Sequence, residues 1–180
     1  GHRTDAARAG QRWVMFSFFG GGHGAYAGGD GLSHGNAPIS TATIPPMEIL
    51  EAAYPVRFTQ WALRTDSGGR GEFRGGLGAV YEIELLESDA QAFIFGERGK
   101  SAPKGIAGGG NGALNVFSYT QGAVRHTPPM VSKMVGITLK RGDRVRLETP
   151  GGGGFGHEEN RQNQAHMRDL DNGYTTQEQS

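Results

Sequence analysis

Cysteine is absent from the 180-residue sequence, which excludes disulfide bonds, thiolate nucleophiles and zinc–thiolate sites. This absence fits a reducing, cytoplasmic compartment. The longest apolar run, WVMFSFF at residues 13–19, is far shorter than the ~20 residues that span a bilayer, and no signal peptide is visible. Net charge is also absent, because 18 basic residues balance 18 acidic ones. With no basic stripe, neither a nucleic acid nor a membrane is predicted as a partner.

Glycine is abundant instead, at 32 of 180 residues, or about 18% where ~7% is usual. The glycines have no three-residue period, which excludes collagen, and they separate runs rich in Phe, Val, Ile and Tyr that a disordered chain would lack. We therefore expect one folded, loop-rich domain. The densest run, DSGGRGEFRGGLG at 66–78, is a linker, a phosphate cradle, a set of strained turns or a backbone that approaches another group closely.

The periodicity predicts an α+β fold that is mainly β, with glycine-rich loops joining short strands. Alternation is clearest in AVYEIELLE, where Tyr81, Ile83 and Leu85 face one way and the glutamates between them face the other. RGD at 141–143 is interpreted as a hairpin turn rather than an adhesion motif. The predicted strands are 12–19, which is expected to be buried, 56–64, 79–87, 91–99, 114–120 and two short strands within 136–150.

Two helices are predicted. TIPPMEILEAAYP gives a helix over about 45–54, with Thr43 as its cap and Pro55 as its end. A polar tail forms the second, ending at Asn172-Gly173. We divide the chain into a flexible or docked segment (1–12), a β-rich region (13–158) and a polar helical tail (159–180). Because the sequence begins at Gly1 without a methionine, we expect a fragment, a processed subunit or a trimmed chain.

Three motifs allow more than one interpretation. TDSGG at 65–69 is similar to the nucleophile motif of trypsin-like proteases, but no matching histidine segment accompanies it, and Asp66 and Ser67 equally suit a turn cap. The glycine loops lack the Gly-Lys-Ser/Thr ending of a phosphate loop. His23, Asp30 and His34 share the loop 20–36. They suit a divalent metal, a general base held by an acid, or histidines that bond loop carbonyls.

Several segments resemble, in order, the hydantoinase B/oxoprolinase family near its carboxyl end. Family chains are several times longer, and SHGNAPIST replaces the His-Met-Thr-Asn type of run found in hydantoinase-like members. The segments are GGGHGAYAGGDG, TIPPMEILEAAYPVRFTQWALRTDSGGRGEFRGGLG, GERGKSAPKGIAGG, ETPGGGGFG and NRQNQAHMRDLDNGYTT.

The resemblance implies a multisubunit, ATP-dependent complex in which this chain, inactive by itself, belongs with the rest of a B-type subunit and an A-type ATP-binding subunit. Family members open cyclic amides such as hydantoins, 5-oxoproline and lactams, while related ones carboxylate acetone or acetophenone. Phosphorylating a carbonyl or enolate oxygen requires Mg²⁺ or a similar ion at the level of the complex. No cofactor or metal is assigned to this chain alone.

Within that resemblance, His23, Asp30 and His34 are predicted to orient a small-molecule substrate or relay protons. The amides of the glycine loop, at Gly21 and Gly22, are predicted to bind an oxyanion, and Arg74 and Arg98 are predicted to bind substrate or another anion. Two rival interpretations remain open: the arginines bond carbonyls across the turn, and the whole segment is architectural, holding the B-type subunit against its A-type partner.

Overall fold

The computed structural model describes residues 1–36 and 44–177. The predicted α+β class, mainly β, is confirmed, and no helix among these residues is long and apolar enough to cross a membrane. The strands are β1 (His2–Arg3), β2 (Val56–Leu63), β3 (Ala79–Leu85), β4 (Ser88–Phe95), β5 (Val116–Gln121), β6 (Val124–His126), β7 (Lys133–Leu139) and β8 (Arg144–Glu148). The helices are α1 (Met47–Ala53) and α2 (Asn163–Asp171), and Glu158–Asn160 forms a 3-10 turn.

The strands form two antiparallel sheets. One has the order β2-β3-β8-β5-β6 and the other β1-β4-β7. The alternation predicted for β3 is confirmed, because Tyr81, Ile83 and Leu85 are all at least nine-tenths buried. Apolar side chains from both sheets make one core: Val56, Phe58, Ile83, Leu85, Ala90, Phe117, Ile137 and Leu139. Burying each of the larger ones stabilises the fold by roughly 1.5–3 kcal/mol.

The hairpin predicted around RGD is wrong. A turn is present, with Gly142 at φ 87° and the buried Asp143 carboxylate accepting the Lys140 amide at 2.8 Å. However, β7 pairs with β4 and β8 pairs with β3 and β5, so the turn carries the chain from one sheet to the other. Turn chemistry specifies a reversal locally, whereas the choice of partner depends on which strand buries each apolar face.

The buried strand predicted at 12–19 is also wrong. Arg12 makes a single bridge to His2, and no described residue pairs with 13–19 as a strand. Alternate side chains point outward, with Val14 81% and Phe16 77% exposed. An apolar run is typical of a buried strand, but here only every second side chain packs on the core.

Both predicted helices are found, with shorter bounds. Pro46 is the N-cap residue of α1 and Tyr54 ends it, while the predicted cap Thr43 lies outside the described residues. In the tail, α2 ends at Asp171 with Asn172 as its C-cap, and Gly173 follows at φ 67°, as predicted. The tail folds back on the loops that carry the predicted site residues.

Candidate functional site: a glycine core and the loop it holds

Four glycine-rich segments, residues 20–24, 67–78, 104–113 and 149–156, pack backbone against backbone and are here named the glycine core. A Cβ added at Gly22 would lie 1.8 Å from the Gly76 carbonyl oxygen. At Gly152 it would lie 1.8 Å from the His23 carbonyl oxygen. Since both sides of each contact are main chain, neither can yield. Close approach of the backbone therefore explains the glycines of 66–78.

Hydrogen bonds link these segments in series. Gly69 donates to Gly152, Gly152 to Gly76 and Gly76 to His23, each amide-to-carbonyl distance being 2.8 Å. The Gly22 amide likewise donates to the Pro150 carbonyl at 2.8 Å. Each bond contributes roughly 0.5–1.5 kcal/mol, which offsets the entropy cost of ordering glycine. These amides are occupied within the chain, so they do not form a phosphate cradle.

Asp30 lies in a cluster of two carboxylates and two guanidinium groups, here named the ion cluster: Asp30, Arg74, Arg161 and Asp169. Arg161 donates to both Asp30 oxygens at 2.9 Å and to Asp169 at 2.6 Å. The main-chain amide of Arg74 donates to Asp30 at 2.7 Å, and the side-chain Nε of Arg74 lies 3.4 Å from Asp169 Oδ2. Three of the side chains are less than a tenth exposed and Asp30 about a fifth. The two positive and two negative charges balance.

The cluster sets the protonation state of Asp30. Burial alone would raise the pKa of this carboxyl, but hydrogen bonds from Arg161 and the Arg74 amide, together with the two positive charges, lower the pKa below its ordinary value. Asp30 is therefore a paired carboxylate that joins the loop 20–36 to the tail.

The tail also holds the turn at 65–67. The Thr176 amide and hydroxyl both donate to the Asp66 carboxylate at 2.9 Å. The Arg74 guanidinium lies over the Tyr174 ring, with Cζ 5.2 Å from the ring centroid. Ser67 is 1% exposed, donates to the Arg64 carbonyl and accepts the Gly78 amide. These bonds fit the turn-cap interpretation of TDSGG, because the Ser67 hydroxyl is fully engaged in the turn.

His34 is held by two aromatic side chains. Trp61 Nε1 donates to His34 Nε2 at 3.2 Å, and the Tyr81 hydroxyl contacts the same nitrogen. An indole N–H can only donate, so Nε2 is unprotonated and the ring is the neutral Nδ1–H tautomer. Burial lowers the pKa of His34 and raises the pKa of Tyr81. The backbone of His34 is left-handed, with φ 50°.

His23 lies close to the residue that follows His34. Its Nε2 is 2.7 Å from where a Gly35 Cβ would lie, and its ring makes no hydrogen bond with another described residue. Asp30 instead points to the tail. The structure thus brings the two histidines onto neighbouring parts of one loop, while no direct hydrogen bond joins any two of the three residues across the described ranges.

Arg98 lies apart from Arg74. It has a left-handed backbone, φ 65°, and lines a cavity of about 410 Å³ together with Lys100 and Lys133. Arg74 is buried in the ion cluster and donates to the Gly75 carbonyl at 2.6 Å, as the rival interpretation of the arginines expects. The two arginines therefore belong to separate places, and their anion-binding roles stay predictions. Those of Gly21 and Gly22 also stay predictions, with the Gly22 amide already donating to Pro150.

Sequence reasoning missed the partners of these residues. Arg161 and Asp169 come from a tail more than 130 residues away from Asp30, and Tyr81 and Trp61 were assigned only to strands. The signal available for the tail was its resemblance segment, NRQNQAHMRDLDNGYTT. For Tyr81 and Trp61 no local signal existed, because only the pairing of β2 with β3 sets them opposite each other.

Comparison with known proteins identifies relatives over most of the chain. The 5-oxoprolinase of Dictyostelium discoideum is 33% identical over 141 residues, 77% of this chain and 11% of that protein. Caprolactamase subunit beta of Pseudomonas jessenii is 36% identical over 130 residues, 71% of this chain and 22% of that protein. The chain therefore spans less than a third of the length of these relatives.

Two solved structures resemble this chain over most of its length. The ATP-dependent caprolactamase of P. jessenii superimposes with a TM-score of 0.74 at 31% identity, covering 87% of this chain and 28% of that one. Nucleotide-free acetone carboxylase superimposes with a TM-score of 0.71 at 25% identity, covering 88% and 25%. The family model described as hydantoinase B/oxoprolinase matches residues 1–158. The chain belongs to the hydantoinase B/oxoprolinase family.

Proposed function

We propose that this chain is the carboxyl-terminal part of a B-type subunit in an ATP-dependent complex that hydrolyses a cyclic amide. One observation carries the proposal: the relatives that exceed 30% identity over more than 70% of the chain include a 5-oxoprolinase and a caprolactamase subunit. Acetone carboxylase, at 25% identity, supports ketone carboxylation as the second candidate.

In this proposal the chain contributes the loop 20–36 to the border of the substrate site. His23 carries a ring that makes no hydrogen bond with another described residue and is therefore placed to meet a substrate. His34 is half-buried and its Nε2 is occupied by Trp61 and Tyr81, so its neutral ring orients the loop rather than exchanging a proton. Asp30 holds the loop in position through Arg161 rather than reacting. An architectural role remains the rival, since the glycine core occupies its own amides.

ATP and Mg²⁺ are assigned to the remainder of the complex. Among residues 1–36 and 44–177, no group of three His, Asp or Glu side chains could hold a metal ion. Asp30, a carboxylate of the candidate site, is already bound by two guanidinium N–H groups. These side chains do not fit a divalent ion, and we infer that an A-type subunit and the rest of the B-type subunit bind the nucleotide.

The test is a substrate-dependent ADP assay on the intact complex, with 5-oxoproline, caprolactam, hydantoin or acetone plus bicarbonate added singly. The proposal expects ADP release with a cyclic amide, together with the ring-opened acid. Release only with acetone and bicarbonate would favour the carboxylase, and release with none of the four would count against both reactions. Turnover unchanged by His23→Ala would favour the architectural role. His23→Ala is expected to lower turnover at least tenfold without changing the melting temperature, whereas the exposed control His2→Ala should leave both unchanged.

A further inference from the structure

Residues 13–19 present an apolar row to solvent. Val14, Phe16 and Phe18 are 81%, 77% and 64% exposed, and the rings of Phe16 and Phe18 contact each other at 5.0 Å. Between them, Trp13, Met15 and Phe19 pack against the core. This alternation has the two-residue period of a β-strand. The inner side chains fix the segment, and the outer ones contact little within the described chain.

Beyond Trp13, the backbone of this segment makes no backbone pair with any other described residue. The Trp13 amide donates to the Gly1 carbonyl at 3.0 Å, but within residues 1–36 and 44–177 no amide or carbonyl from Val14 to Phe19 bonds another backbone group. An exposed row of unpaired strand groups is a template for another strand. Peptide strands bind such edges through main-chain bonds, with alternate side chains adding specificity.

We propose that residues 14–19 accept an additional β-strand from the remainder of the B-type subunit. The segment contains no charged residue, so the incoming strand presents apolar side chains to Phe16 and Phe18. The relatives supply the source: this chain spans 22% of caprolactamase subunit beta and 28% of the solved caprolactamase chain, which leaves most of a B-type polypeptide to cover this face. The inference rests on family membership and not on the reaction.

Hydrogen–deuterium exchange on the whole B-type subunit that carries this chain tests the proposal. Strand addition along one edge should protect alternate amides between Val14 and Phe19 at least a hundredfold over the same amides in an unstructured peptide of this sequence. Uniformly fast exchange of all six amides would overturn it. The proposal would also be overturned if the 180-residue chain alone had the mass of a dimer and showed this protection, because a second copy would then supply the strand.

A substitution sharpens the test. Phe16→Asp adds a charge to the outer row, and since this side chain is 77% exposed it should leave the chain folded. We expect the protection of 14–19 to fall at least tenfold. Val124→Asp is the matched control, an exposed apolar residue on β6, and should leave that protection unchanged. Equal losses in both variants would show a general effect of added charge and overturn the specific pairing.

Discussion

The molecule is held together in two different ways. Between the sheets, side chains such as Phe58, Phe117 and Ile137 pack in the ordinary manner. In the glycine core, most contacts between segments join main chain to main chain. A side-chain core adapts to volume-conserving changes through rotamers, whereas a backbone core has no rotamers to adjust. The same 180 residues therefore combine a tolerant region with an intolerant one, and the intolerant one carries the loop 20–36.

The largest expected effect is at Gly152. In Gly152→Ala the new methyl would lie 1.8 Å from the His23 carbonyl oxygen and 2.8 Å from the Gly24 amide nitrogen. Because only main chain can move, we expect a loss of more than about 4 kcal/mol in the free energy of unfolding, measured by urea denaturation.

Two controls isolate that effect. At Gly24 the nearest atom to an added Cβ is 3.8 Å away, so Gly24→Ala should change stability by less than ~0.5 kcal/mol. In the side-chain core, Ile137→Val should cost about 0.5–1.5 kcal/mol. If Gly152→Ala cost no more than Ile137→Val, the distinction between the two cores would fail.

The second effect concerns the ion cluster. Arg161→Ala leaves Asp169 paired with Arg74, and leaves Asp30 with the Arg74 amide and the exposed Arg168, 3.8 Å away. Breaking a buried ion network in this way costs about 3–5 kcal/mol. We also expect faster amide exchange in the loop 20–36 and in α2, since Arg161 joins them. Arg144→Ala is the control: it removes surface pairs to Glu82 and Glu84 and should cost about 0–1 kcal/mol. Equal losses would contradict a special role for the cluster.

The smallest effect is a pH dependence from His34. Its pKa is lowered by burial, so the unfolded state binds a proton more readily. The stability that neutral His34 contributes is complete above the ordinary histidine pKa of about 6.5. It is lost as the pH falls from there toward the lower pKa of His34 in the folded protein. Over that range the free energy of unfolding falls by at most ~1.4 kcal/mol per pH unit.

His34→Asn provides the comparison, since asparagine accepts the left-handed backbone and does not titrate. Stability between pH 7 and pH 5, followed by urea denaturation, should fall more steeply in the natural protein than in this variant. An identical pH dependence in the two proteins would mean that His34 has the same pKa in the folded and unfolded states.

Local chemistry predicted much of the fold. The alternation of Tyr81, Ile83 and Leu85 specifies the inner face of β3, and Asn172-Gly173 marks the end of α2. Local chemistry did not predict features that depend on residues far away in the sequence. Nothing near RGD tells that β7 and β8 enter different sheets, and the apolar run at 13–19 does not reveal that half of its side chains face outward.

The candidate site was predicted in composition but not in arrangement. His23, Asp30 and His34 were identified because polar residues in a glycine loop are conspicuous. That Asp30 is bound by Arg161, and His34 by Trp61, follows only from long-range packing. The glycines were the most informative residues and the hardest to interpret, because close approach leaves no pattern of its own in a single sequence.

The glycine core also bears on how the protein responds to temperature. Unfolding it exposes peptide groups and little hydrocarbon, and polar exposure lowers the heat capacity of unfolding while apolar exposure raises it. The protein should therefore show a smaller heat-capacity increment per residue than a domain of the same length with an ordinary composition. Its stability curve is correspondingly flat, and cold weakens this region less than it weakens the packing between the sheets.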